Sequence, residues 1–86
     1  MDLRTRERHR EAEREAEAAR EMASYCKANP KSPSALRKPR LMLRGRSWIA
    51  LMGSTLQDGI AGIGGSVQAA LRAFDVQYAN SGKRRS

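Results

Sequence analysis

The chain is poor in the residues from which catalytic centres and cross-linked scaffolds are built. Its 86 residues include one cysteine, one histidine and three prolines, and its aromatic side chains are Tyr25, Trp48, Phe74 and Tyr78. One cysteine excludes an internal disulfide. Cys26 follows Tyr25 at the end of a helical pattern and reads as a small apolar contact. His9 stands among arginines with no second ligand at metal spacing, so it reads as solvated surface. Ser54 and Thr55 have no histidine to activate them. Asp58 and Asp75 are the only acids beyond residue 28, which argues against paired-carboxylate chemistry. No run of about 18 apolar residues is present, so no membrane span is expected. The charged N-terminus has no apolar core of a signal peptide. These absences point to a cytoplasmic, non-enzymatic chain without cofactor, metal or membrane partner. A chain of this length buries only about 60–65% of its unfolded surface, which favours a binder or regulator over an enzyme with a deep pocket.

Basic charge is what the chain has in excess. Lys and Arg number 17 against 9 Asp and Glu, a net charge of +8 and a pI of about 10.8. The excess is local. Residues 1–28 hold as many acids as bases, whereas residues 29–47 carry Lys31, Arg37, Lys38, Arg40, Arg44 and Arg46 and no acid. Lys83, Arg84 and Arg85 form a second basic group in the tail. Such patches fit nucleic-acid phosphates or an acidic protein surface. These nine residues are therefore candidate contacts for a partner or for nucleic acid.

Residues 1–28 read as one long helix, rich in Ala, Glu and Arg and free of Gly and Pro. Arg–Glu pairs at i,i+3 are offset by like charges at i,i+4, so the charges add little net helix stability. Ala12, Ala16, Ala19, Ala23 and Cys26 form a narrow seam, with Met22 and Tyr25 alongside, expected to pack on the body or on another helix. The upstream half is expected to project, with Arg6, Arg10 and Arg14 available for a helix-mediated interface. A self-assembling structural piece, for example a homodimer through the seam, is a further reading.

Residues 29–39, "NPKSPSALRKP", read as a proline-rich basic connector without helix or central strand. Residues 40–44 and 47–52 read as strands joined by Gly45-Arg46, because Gly supplies the positive φ of a two-residue hairpin. The second strand is apolar on both faces, so both are expected to be covered, one by each helix or by a second subunit. Residues 59–64 read as a third strand with a bulge at Gly62 or Gly64. Ser66 is a helix cap, followed by an amphipathic face of Val67, Ala70, Leu71, Phe74 and Tyr78. Gly82 reads as the C-cap, and 82–86 as a flexible basic tail. The expected fold is α+β in the order α–β–β–β–α: a helix at 1–28, the connector at 29–39 and a βββα core at 40–81.

The stretch "GIGGS" before the last helix raises the question of a phosphate loop. Its glycines are wrongly spaced for a dinucleotide fingerprint, and no Lys follows as a nucleoside-triphosphate loop requires. A strand-to-helix bend is the structural expectation. Trp48 could stack on a base, but its place in an apolar strand points to the core.

The segment "SWIALM…DGIAGIGGSVQAALRAFDVQY" resembles the core of HicB-type antitoxins, in which a strand ends in Gly-x-Ser/Thr and opens a helix with an early Ala-Leu pair. Gly64, Gly65, Ser66, Ala70 and Leu71 carry that resemblance. The Pro-x-x-Pro-Gly element usual before the family's last strand is "GSTLQDG" here. The resemblance implies a small non-catalytic sheet-and-helix module that binds, and often inhibits, a partner. The α–β–β–β–α order is also that of double-stranded-RNA-binding domains, but the last helix begins "SVQAAL", with no basic residue before Arg72. The expected function is a prokaryotic or phage-type interaction protein, antitoxin-like or anti-CRISPR-like, that binds and inhibits or regulates a nucleic-acid-associated protein complex. The alternative is direct DNA or RNA binding through the basic connector and tail.

Overall fold

The Ala-, Glu- and Arg-rich N-terminal run forms α1, Leu3–Ala28. A short helix α2, Pro33–Arg37, lies inside the connector and corrects the expectation of an irregular segment there. Its prolines do not oppose it. Pro33 occupies the first turn, where a missing N–H costs nothing, and Ser32 caps the helix by accepting the Ala35 amide at 3.2 Å. Lys38 closes it in a left-handed conformation (φ 48°), its amide bonded to the Ser34 carbonyl at 3.0 Å. The strands follow as β1 (Arg40–Arg44), β2 (Ser47–Met52) and β3 (Ile60–Gly64), and then α3, Val67–Lys83. These elements come from a computed structural model that describes residues 3–55 and 57–83. Helix α3 runs through Gly82, so Gly82 is not the C-cap.

The three strands form an antiparallel meander in the order β1–β2–β3. Arg44 pairs with Ser47 across Gly45-Arg46. Positive φ falls on Gly45 (60°) and not on Arg46, as a type II′ hairpin turn requires. Pairing of β2 with β3 is regular from Met52–Ile60 to Trp48–Gly64, so the expected bulge is absent.

Gly62 and Gly64 serve a different purpose from a bulge. They face α3. A Cβ on Gly62 would collide with backbone atoms of Ala70 and Phe74 and come within 2.7 Å of the Ala73 carbonyl carbon. A Cβ on Gly64 would lie 2.6 Å from the Ala69 Cβ and 2.7 Å from the Ala70 nitrogen. The helix backbone therefore rests directly on the strand, which only residues without a side chain permit. This close seating lets Val67, Ala70, Leu71 and Phe74 close a core with Ala50 and Ala18. Each fully buried large side chain among them contributes about 1.5–3 kcal/mol.

Helix α1 packs on α3 rather than on the opposite face of the sheet, so the two long helices share one side. This corrects the expectation of one helix per face. On the other face Ile49 and Leu51 are nearly closed off, while Ile63 on the edge strand is 59% exposed. The alanine seam is corrected as well. Ala12, Ala16, Ala19 and Ala23 are exposed, and the contact stripe is Ala18, Met22 and Tyr25, with Cys26 half-buried. Met22 and Tyr25 bury more apolar area than alanines do, and that gain sets the rotation of the helix.

Candidate functional site

Three features compete as the functional site: a part-buried polar cluster, the basic residues of 31–46, and an open cleft beside α1.

The polar cluster gathers on Asp75 of α3. Tyr25 of α1 donates its hydroxyl to Asp75 Oδ2 at 2.5 Å. Ser34 of α2 donates its amide to Oδ1 at 2.8 Å, and its hydroxyl lies 2.7 Å from Oδ1 and 3.1 Å from the Leu71 carbonyl. Loss of water contact, reinforced by the hydrogen bond and the negative charge of Asp75, pushes the Tyr25 hydroxyl up from 10.0 to about 12. Ser34 is fully buried. No buried side-chain polar atom among the described residues lacks a partner. A cluster whose bonds are all internal holds helices together and offers nothing to a substrate. No local pattern points to it, because Ser34 and Tyr25 lie 41 and 50 positions from Asp75.

The basic residues of 31–46 are partly tied up. Arg37 donates its Nε to the Tyr78 hydroxyl at 2.9 Å and lies 5.7 Å from that ring's centroid, which fastens α2 to α3. Tyr78 in turn packs on Phe74, centroids 6.1 Å apart. Arg40 donates to the Gly53 carbonyl at 3.0 Å. Lys31, Lys38, Arg44 and Arg46 are exposed. Arg40 and Arg44 lie on the sheet face away from the helices, at the two ends of β1, about 13 Å apart at ~3.3 Å per residue. The basic residues of 31–46 thus divide, with Arg37 at the α2–α3 contact and Arg40 and Arg44 on the sheet face away from the helices. Arg84 and Arg85 lie outside the described residues, as do the side chains of Arg6, His9 and Lys83. Arg10 and Arg14 are exposed on α1.

The cleft arises from a change of character along α1. The stripe facing the body is Ala18, Met22 and Tyr25 downstream and Glu11, Arg14 and Glu15 upstream. Charged side chains cannot seal onto an apolar floor without losing hydration. A cleft of about 330 Å³ therefore remains between Glu11, Arg14 and Glu15 on one side and Leu41–Leu43 and Trp48 on the other. A second hollow of about 290 Å³ shares Arg14, Leu43 and Trp48 and extends past Glu17 and Glu21 to Ser66 and Val67. Trp48 is half-buried, packing on the core while lining both hollows. The sequence-based core assignment for it thus describes only part of its environment.

The glycine-rich stretch is no phosphate cradle. Gly62 and Gly64 are occupied by α3, and the Ser66 hydroxyl caps that helix by accepting the Ala69 amide at 3.1 Å. No protein-family model, curated protein sequence or solved structure matches the chain. No described helix is long and apolar enough to cross a membrane.

Proposed function

We propose that the chain is a small cytoplasmic interaction protein of prokaryotic or phage type. It acts by stoichiometric binding, and it inhibits or regulates a protein of a nucleic-acid-associated complex in the manner of an antitoxin or an anti-CRISPR inhibitor. The observation supporting this reading is the unsealed cleft, an apolar floor with Trp48 left open beside an exposed helical arm. Half-exposed aromatics at the centre of a concave surface are frequent anchors of protein interfaces. The resemblance to HicB-type antitoxins points in the same direction. The test uses the full chain as bait at moderate salt in parallel lysates with and without nuclease, followed by reconstitution with the purified captured protein. A defined stoichiometric complex that lowers the partner's activity is expected, and recovery of nucleic acid alone would overturn the reading.

Direct nucleic-acid binding is the second reading, favoured by the exposure of Lys31, Lys38, Arg44 and Arg46. It requires affinity that falls steeply with salt, because phosphate contacts release counterions. Changing these four to Ala spares Arg37 and Arg40, whose side chains also hold the fold. Unchanged DNA and RNA affinity in that variant would exclude this reading.

A further inference from the structure

The cleft beside α1 carries a chemistry opposite to that of the whole molecule. The chain is strongly basic, yet the wall that α1 contributes to the two hollows holds Glu11, Glu15, Glu17 and Glu21 against the single base Arg14. All four glutamates are exposed. They span ten residues of helix, about 15 Å at 1.5 Å per residue. Across from them the floor is apolar, with Leu43 and Trp48 shared by both hollows. We infer that this groove is the docking site for a basic, apolar-anchored segment of a protein partner: aliphatic side chains on Leu43 and Trp48, and Arg or Lys side chains against the glutamates of α1.

Charge complementarity selects this occupant. A nucleic acid stacking a base on Trp48 would bring its phosphates beside four carboxylates, which is repulsive at this range. An arginine there gains carboxylate partners and lies near the Trp48 ring, a favourable place for a cation. The groove is compatible with a net charge of +8, because Arg40 and Arg44 of β1 lie on the sheet face opposite to Leu41, Leu43 and Trp48, while the groove wall is built by α1. This inference rests on the binding reading above and names the surface that would be used.

Trp48 is the only tryptophan, so its fluorescence reports the groove directly. The full chain is titrated with three probes: a short amphipathic peptide of leucine and arginine, its leucine–glutamate counterpart, and oligothymidylate. The leucine–arginine peptide is expected to shift Trp48 emission to shorter wavelength, saturably and more weakly at high salt. The variant E11Q/E15Q/E17Q/E21Q changes exposed positions only, and circular dichroism checks its fold. It is expected to bind that peptide about tenfold more weakly, from four exposed charge contacts of a few tenths of a kcal/mol each. The inference is overturned by absence of the shift, by equal binding of the leucine–glutamate peptide, by unchanged affinity of the variant, or by tighter binding of oligothymidylate. A shift that appears on raising protein concentration alone would assign the groove to a second copy and would also overturn it. The two proposals separate in a last measurement. A captured partner that binds the glutamine variant as tightly as the wild type removes the groove and leaves the stoichiometric-binder reading intact. Peptide binding lost with the glutamates, in a chain that captures no protein, removes that reading alone.

Discussion

The two long helices divide the work of the molecule unequally. Helix α3 buries Val67, Ala70, Leu71 and Phe74 in 17 residues, whereas α1 buries Ala18 alone among its described side chains across a 26-residue helix. Length therefore does not measure structural importance. Helix α3 sits on β3 through two glycines and closes the core. Helix α1 is fastened at its downstream end by Met22 and Tyr25, and upstream of them Glu11, Arg14 and Glu15 are exposed.

The largest expected effect breaks the seating of α3. Gly62→Ala places a methyl group against helix backbone that has no freedom to yield, and should cost about 3 kcal/mol or more in denaturant unfolding. A near-neutral result would mean that α3 lies further from β3. Leu71→Ala empties a fully buried site on the same helix and should cost about 2–5 kcal/mol.

The anchor of α1 is weaker. Tyr25→Phe leaves Asp75 Oδ2 without its donor and should cost about 1 kcal/mol. The same bond makes stability depend on alkali. The folded chain holds the Tyr25 proton up to about 12, above its ordinary 10.0, so the folded state binds the proton more tightly. That contribution is whole below pH 10.0 and is lost as pH rises through about 12. Unfolding midpoints across this window should fall for the wild type more steeply than for Tyr25→Phe, and parallel curves would remove the assignment.

Two smaller changes sharpen the contrast. Gly65 has open space where Gly62 has none, so Gly65→Ala should stabilise by about 0.5 kcal/mol through the unfolded state. Ala16→Gly, on the exposed part of α1, should lower helicity by circular dichroism while moving the global midpoint least of all.

Sequence reasoning reached the strands because β1 and β2 are short apolar runs with a glycine turn between them, and α3 because its apolar residues repeat at helical spacing. It misread the connector by counting prolines as breakers, when Pro33 stands at the one helical position that suits it. It misplaced the role of Gly62 and Gly64, because a close approach is visible only once the helix above the strand is known. The groove was hidden for a different reason. Residues 1–28 balance to zero charge, and only the helical rotation set by Ala18, Met22 and Tyr25 puts Glu11 and Glu15 opposite Trp48.

The Asp75 carboxylate also couples the two upstream helices to each other. Ser34 and Tyr25 precede it by 41 and 50 residues, so one side chain of α3 closes two long loops of chain at once. Helix α1 takes Oδ2 and α2 takes Oδ1, so loss of the single carboxylate would loosen both helices together. The Ser34 amide is a natural reporter of that coupling. Its hydrogen exchange should track the release of α2 from Asp75 and quicken in Tyr25→Phe if the two helices are coupled through that carboxylate.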